Sequence, residues 1–103
     1  MTKAKFWVSG GVVGFSIEGH STENAQDDEG RIVCSAVSSA AYMAANTITD
    51  IIGDGAAADV RDGYMRFEVE NPSDSTKAVL EGLKLHLIEL SKQYGKRLII
   101  TEV

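Results

Sequence analysis

Residues 32–52, IVCSAVSSAAYMAANTITDII, carry apolar side chains at intervals of three and four positions. This spacing places the apolar residues on one face of a helix and predicts that the helix ends before Gly53. Its alanines and small serines make the helix slender and suited to close packing on a sheet. The periodic positions are Ile32, Val33, Ala36, Val37, Ala40, Ala44, Ile48, Ile51 and Ile52.

Two strands are predicted before this helix, in AKFWVSGGVVGFSIEG (residues 4–19). Apolar and polar residues alternate in both strands, and the Gly10-Gly11 pair offers the positive φ that a tight hairpin turn requires. The second strand ends at Gly19-His20, which places His20 at the edge of the sheet. The apolar positions are Ala4, Phe6 and Val8 in the first strand, and Val13, Phe15 and Ile17 in the second.

Two more strands and a second helix are predicted after Gly55. AAADV (residues 56–60) is typical of a short strand and YMRFEVE (residues 64–70) of a clearer one. Ser73, Asp74 or Ser75 can cap the second helix, and Gly95 is placed as its C′ glycine. The final residues, KRLIITEV (residues 96–103), predict a well-buried last strand. The buried stripe expected for the second helix is Leu80, Leu83, Leu87, Leu90 and Tyr94.

These elements predict a single domain over residues 1–103, in the order β-β-α-β-α-β with room for one small extra strand. Two helices with apolar stripes need a sheet face to cover, so we expect an α/β (α+β) fold, a two-layer sandwich with both helices on one face. The other face has no predicted cover. Trp7 is expected to point that way, where a homodimer can cover it.

Composition excludes several functions. The net charge of −5 and pI near 4.9 argue against direct binding of duplex nucleic acid, while an acidic surface attracts basic peptides. We expect no membrane span, because no stretch approaches about 20 apolar residues, and a cytoplasmic location, because the start MTKAKFW lacks an apolar leader core. A single cysteine permits no internal disulfide and no zinc site with several thiolates. We therefore expect no metal and no cofactor.

Cys34 is the only cysteine, and its role has two interpretations. Free cysteines are usually buried and inert. However, the predicted helix places Cys34 in its first turn, where backbone N–H groups favour a thiolate. The predicted strand that ends at His20 and the helix that begins near Gly30 share one rim of the domain if they pack antiparallel. His20 can then act as the base for Cys34.

The acidic loop STENAQDDEG (residues 21–30) separates these two residues and has no apolar periodicity. It can be a lid that orders when a peptide binds, with glycine as a hinge, or simply an exposed loop.

These residues resemble the ribosomal-processing cysteine protease Prp family. The matching pattern is a G-H pair, a variable loop, then G-x-I-V-C-[SA]-A-x-S and a later asparagine. The resemblance covers essentially the whole chain. The residues that carry it are Gly19, His20, Gly30, Ile32, Val33, Cys34, Ala36, Ser38 and Asn46.

The resemblance implies a small cytosolic endopeptidase, active as a homodimer, with Cys34 as nucleophile and His20 as general base and acid. It implies that the substrate is the N-terminal extension of the large-subunit ribosomal protein L twenty-seven, and a basic ribosomal protein suits an acidic protease. Ser38 is a candidate for substrate binding, although a small serine on a packed helix is the favoured interpretation.

Arg31 departs from the family pattern, which usually has an aspartate at this position. Its guanidinium is one helical turn from Cys34 and can favour the thiolate or contact substrate. In the absence of that aspartate, the loop acids Asp27, Asp28 and Glu29 are candidates to orient His20.

Two other functions remain open. A non-catalytic acidic interaction module that binds a basic ribosomal or assembly protein would not need Cys34. A small thiol hydrolase acting on esters or thioesters would use the same pair of residues.

Overall fold

The computed structural model describes residues 1–22, 24 and 26–103. Two helices pack on one face of a five-stranded sheet with the strand order β3-β4-β2-β1-β5, which confirms the predicted two-layer α/β fold. β1 and β5 are parallel, and the other neighbours are antiparallel. The elements are β1 (Thr2–Val8), β2 (Val12–Glu18), α1 (Asp28–Asn46), a π-helical segment (Thr47–Ile52), β3 (Ala56–Arg61), β4 (Tyr64–Val69), α2 (Asp74–Gln93) and β5 (Leu98–Glu102).

The hairpin between β1 and β2 turns at the predicted glycines, Gly10 and Gly11, whose φ angles are 65° and 120°. Its register shifts between Trp7 and Val8, where the ladder is irregular. A shift of one residue exchanges the two faces of a strand. Val12 is therefore fully buried, whereas Val13, which was predicted to lie on the apolar face, is only partly buried. Val8 is likewise 44% exposed, so it does not lie on the buried face with Ala4 and Phe6 as the alternation predicted.

Helix α1 contributes one face to the core of the domain. It begins at Asp28, before the predicted start, because the side chain of Asp27 accepts a hydrogen bond from the Gly30 N–H and caps it. The helical segment ends as predicted at Gly53, which has a φ of 88°. The buried face is carried by Val33, Val37, Ala41, Ala44, Ala45 and Ile48, whereas Ile32 and Ile51 are 57% and 80% exposed and were wrongly placed in it.

The continuous segment Asp28–Ile52 is long enough and apolar enough to cross a membrane by length and composition alone. The expectation that no stretch of the sequence is long enough and apolar enough to span a membrane therefore needs correction. About a third of its most apolar stretch is buried, and buried residues such as Val33, Val37 and Ile48 contribute to the core of the domain; the rest is not buried.

Helix α2 packs beside α1 with the predicted leucine stripe: Leu80, Leu83 and Leu87 are buried, and Leu90 and Tyr94 pack against the core. Ser73 is the N-cap, since its hydroxyl accepts a hydrogen bond from the Thr76 N–H. Gly95 follows the helix where predicted, but it is not among the glycines with positive φ, so it does not form the left-handed cap expected there.

Strand β5 is an edge strand, paired only with β1. Leu98 is buried, but Ile99 is 41% exposed and the remaining residues are partly or fully exposed. The prediction of a well-buried last strand was wrong, because the apolar run cannot indicate that the strand has a neighbour on only one side.

Asp54 ties the loop after α1 to the start of α2. Its Oδ2 accepts hydrogen bonds from Thr76 Oγ1 at 2.6 Å, from the Ser73 N–H at 2.9 Å and from Ser73 Oγ at 2.8 Å. These donors, the Thr76 hydroxyl first, hold the pKa of the Asp54 carboxyl below its ordinary value of 3.8.

Replacing Asp54 with asparagine is expected to lower the free energy of unfolding at pH 7 and to make that free energy fall less as the pH is lowered. A carboxyl with a lowered native pKa stabilises the fold fully above its unfolded pKa, and that contribution is lost as pH falls through the native pKa. The difference in free energy of unfolding between wild type and Asp54→Asn should therefore shrink below a pH of about 3.8. Urea unfolding at pH 7 and at lower pH measures it, and a constant difference would contradict the assignment.

Candidate active site

A cleft of about 210 Å³ lies between helix α1, the end of β2 and the β3–β4 hairpin, and it contains both Cys34 and His20. The fold therefore brings to one place the two residues that the sequence singled out. The cleft is lined by Thr2, Ile17, Gly19, His20, Cys34, Val37, Ser38, Ala41, Tyr42, Val60, Arg61, Asp62, Gly63, Tyr64 and Met65.

Cys34 is partly buried and is the seventh residue of α1. Since the helix begins at Asp28, Cys34 lies in the second turn, and the expectation that it occupies the first turn was wrong. The free N–H groups of the helix start are therefore not at the sulfur. Instead, the backbone N–H of Ser21 donates a hydrogen bond to Sγ of Cys34 at 3.2 Å. A donor aimed at sulfur interacts more strongly with a thiolate than with a thiol.

The position of the Ser21 N–H is fixed by the hydrogen bonds of its own residue. The Ser21 hydroxyl donates to the carbonyl of Arg97 at 3.0 Å and lies 2.6 Å from Oγ1 of Thr2. The guanidinium of Arg97 donates to the carbonyl of Ser21 at 2.7 Å. Ser21 is only 2% exposed, so these groups hold the chain that follows His20 against both β1 and the start of β5.

The three loop acids contact the helix start and its basic neighbours. Asp27 caps the helix and forms an ion pair with Arg97, whose Nε lies 3.6 Å from a carboxylate oxygen of Glu29. Asp28 lies 3.8 Å from the guanidinium of Arg31. Asp27 and Glu29 therefore help to hold the start of α1 and the guanidinium of Arg97, while a role of the three acids in orienting His20 stays a prediction.

His20 is exposed at the mouth of the cleft, and its backbone is held on two sides. Its carbonyl accepts a hydrogen bond from the N-terminal ammonium of Met1 at 2.6 Å, and the preceding Gly19 N–H donates to the carbonyl of Gly63 at 2.9 Å. The imidazole lies against Gly63, because a Cβ at that glycine would be 2.7 Å from Nε2 of His20. The turn of the β3–β4 hairpin thus forms a wall for the ring.

The imidazole and the thiol share the cleft without bonding to each other. Within the described part of the chain, no hydrogen bond joins the ring of His20 to Sγ of Cys34. Their action as a catalytic pair therefore stays a prediction.

The two candidate substrate-binding residues differ in position. Ser38 is an exposed residue that lines the cleft one turn after Cys34. Arg31 is exposed, pairs with Asp28 and is not among the residues that line the cleft. A role in substrate binding stays a prediction for both.

Sequence reasoning missed Ser21, Arg97 and the hairpin wall. Arg97 is 76 residues from Ser21 in the chain, so no local pattern links them. The Asp62-Gly63 pair is a hairpin-turn signal that could have been found, but only the sheet order shows that this turn packs against His20.

A partly buried thiol and an exposed imidazole in one cleft of a small α/β sandwich are the features of a cysteine-dependent hydrolase. A protein-family model described as cysteine protease Prp matches residues 1–99. The chain therefore belongs to the Prp family of cysteine proteases.

Solved structures have the same fold. The essential ribosomal processing protease Prp from S. aureus, in complex with a covalently linked product peptide, has a TM-score of 0.88 at 18% identity, with 100% of each chain covered. The S. aureus Prp with a substrate peptide has a TM-score of 0.87 at 14% identity, again covering 100% of each chain. SMU.848 from Streptococcus mutans has a TM-score of 0.82 at 19% identity, covering 100% of this chain and 94% of that one. A search of curated proteins finds no match.

Proposed function

We propose that this chain is a cytoplasmic endopeptidase that removes the N-terminal extension of the large-subunit ribosomal protein L twenty-seven. The observation that carries the proposal is the shared cleft of Cys34 and His20 in a chain of the Prp family. The cleft is open to solvent at His20, so a peptide can reach the sulfur.

In the proposed mechanism His20 takes the proton of the Cys34 thiol, and the thiolate attacks the carbonyl carbon of the scissile peptide. The tetrahedral intermediate collapses with breakage of the C–N bond, and His20 returns the proton to the leaving amine. Water then hydrolyses the thioester and regenerates the thiol. The imidazole must move off Gly63 toward the sulfur when substrate binds, which its exposed position permits.

The oxyanion needs N–H donors, and the start of α1 is not the source expected from the sequence. The helix begins six residues before Cys34, and its Gly30 N–H is taken by Asp27. We assign one donor to the Ser21 N–H, which already points at Sγ. When the sulfur bonds to the substrate carbon, the oxyanion forms on that carbon, two bonds from the sulfur and within reach of this donor.

Charge and structural likeness support the choice of substrate. The net charge of −5 favours encounter with a basic ribosomal protein. The S. aureus protein with the same fold is a ribosomal processing protease that holds a covalently linked product peptide. A covalent link to a peptide is what nucleophilic attack by Cys34 would produce here.

The proposal includes a homodimer. The open face of the sheet, expected to be the interface, carries charged residues such as Lys3, Lys5 and Arg66, and the Arg66 guanidinium lies 4.9 Å from the centre of the Trp7 ring. Apolar side chains are also exposed on the helices, where Met43 and Leu85 are 62% and 60% exposed. These supply apolar area that a second copy can bury. Sedimentation velocity measures the oligomeric state.

Incubation with the host's own ribosomal protein L twenty-seven tests the function. We expect the wild-type protein to produce a single new N-terminus on the ribosomal protein, identified by mass spectrometry of the products. The Cys34→Ala protein should leave the substrate intact, because it lacks the nucleophile. An intact substrate in both reactions would refute the proposal, and a complex that forms without cleavage would favour the interaction module.

A further inference from the structure

Strand β3 is a free edge beside the cleft. It is the first strand in the sheet order and pairs only with β4. All six of its residues, Ala56–Arg61, are exposed. An edge strand presents a row of unpaired N–H and C=O groups that can pair with another extended chain.

The pairing of β4 shows which groups of β3 face outward. The Gly19 N–H bonds to the carbonyl of Gly63, so Gly63, Met65 and Phe67 direct their backbone groups toward β2. The alternate residues of β4 therefore bond to β3, at Arg61, Asp59 and Ala57. It follows that Ala56, Ala58 and Val60 direct their N–H and C=O groups away from the sheet.

This outward edge leads into the cleft. Val60 and Arg61, the last residues of β3, line the cleft together with Cys34 and His20. Val60 is 48% exposed, and Tyr42 of α1, another lining residue, is 45% exposed. An extended peptide on this edge would place alternate side chains against these two apolar groups and carry its backbone to the sulfur.

Strand β3 has few of the features that prevent an edge strand from pairing with another extended chain. It contains no proline, and three of its residues are alanine, whose small side chains leave the backbone accessible. Its two charged residues, Asp59 and Arg61, lie 3.3 Å apart in an ion pair and so neutralise each other.

We propose that the substrate peptide binds as an added strand along the free edge of β3, hydrogen-bonded to Ala58 and Val60, with the scissile bond in the cleft. This inference rests on the proposed peptidase function and adds the form in which the substrate is recognised. Main-chain hydrogen bonds then supply much of the affinity, and the side chains that face Val60 and Tyr42 supply selectivity.

Replacing Ala58 with proline tests the edge, with Ala58→Thr as the matched control. Proline removes an outward N–H and fills its place with the ring, but it breaks no bond to β4 and suits an edge strand. Threonine keeps the N–H and has a high strand propensity. We expect Ala58→Pro to raise KM for a peptide substrate about tenfold or more, and to raise it more than Ala58→Thr does, because threonine keeps the N–H that binds the peptide.

Alkylation of Cys34 by iodoacetamide and the unfolding temperature show whether the cleft and the fold are intact in Ala58→Pro. Equal KM values for the two variants, with wild-type cleavage preserved, would overturn the edge proposal alone. A change from dimer to monomer with unchanged KM would also overturn it, because the edge would then pair with a second copy. If the wild-type protein neither cleaves nor binds the peptide, the peptidase function itself is refuted.

Discussion

Replacing Cys34 with alanine is expected to lower peptide cleavage on the order of 10⁴-fold or more, to the level of background hydrolysis. Cys34 is the only cysteine, so no second thiol can substitute for it. His20→Ala should lower kcat by about 10²- to 10⁴-fold, because the thiol loses its base and the leaving amine loses its acid. Cleavage rates of a peptide that spans the processing site measure both effects.

The effects of the Cys34→Ala and His20→Ala substitutions on the cleavage rate should not be additive. If the thiol and the imidazole act as one unit, the Cys34→Ala, His20→Ala double variant should be no slower than Cys34→Ala alone. The chain offers matched controls, since His86 is an exposed histidine on α2 and Ser35 is an exposed neighbour of Cys34 outside the cleft. His86→Ala and Ser35→Ala should cleave at the wild-type rate. Wild-type activity in His20→Ala would remove His20 from the mechanism.

Replacing Gly30 with alanine is expected to destabilise the protein by about 1–3 kcal/mol and to reduce kcat/KM. A Cβ at Gly30 would lie 2.6 Å from a carboxylate oxygen of Asp27 and 2.7 Å from both the carbonyl of Ser21 and Cα of Thr22. Two of these neighbours are backbone atoms that cannot rotate away. The loop must therefore move off α1 and take the Ser21 N–H away from the sulfur.

Gly82→Ala is the matched control, because Gly82 lies within α2 and a Cβ added there would meet open space, with no neighbouring atom within 4 Å. Alanine there should stabilise the helix by about 0.5–1 kcal/mol and leave cleavage unchanged. Urea unfolding measures the first effect and peptide cleavage the second. Equal stability of the Gly30→Ala and Gly82→Ala proteins would show that the contact between the loop and α1 is not tight.

The sequence predicted those parts of the fold that depend on local periodicity. The three- and four-residue spacing of Val33, Val37 and Ile48 indicated α1, and the leucine stripe indicated α2. The face of the second strand was partly wrong, because the register shift at Trp7 and Val8 depends on how two strands pair. Ile51 was misplaced because the segment Thr47–Ile52 is π-helical, which changes the angular spacing of its side chains.

In the candidate site, too, local features could be predicted from the sequence, and contacts between distant parts of the chain could not. Cys34 and His20 could be chosen from residue type and position, and they line one cleft. The start of α1 was set by the Asp27 cap, which placed Cys34 one turn further into the helix than predicted. The donor at the sulfur, Ser21, is fixed through Arg97 from the far end of the chain, and such a contact leaves no trace in local sequence.

Peptide cleavage by protein whose thiol has been progressively alkylated with iodoacetamide tests the central claim, that the sulfur of Cys34 is the nucleophile. The chain has one cysteine, so each added carboxamidomethyl group reports on this atom alone. We predict that activity falls in proportion to the alkylated fraction and disappears when alkylation is complete. A fully alkylated protein that still cleaves the peptide at the wild-type rate would contradict the claim.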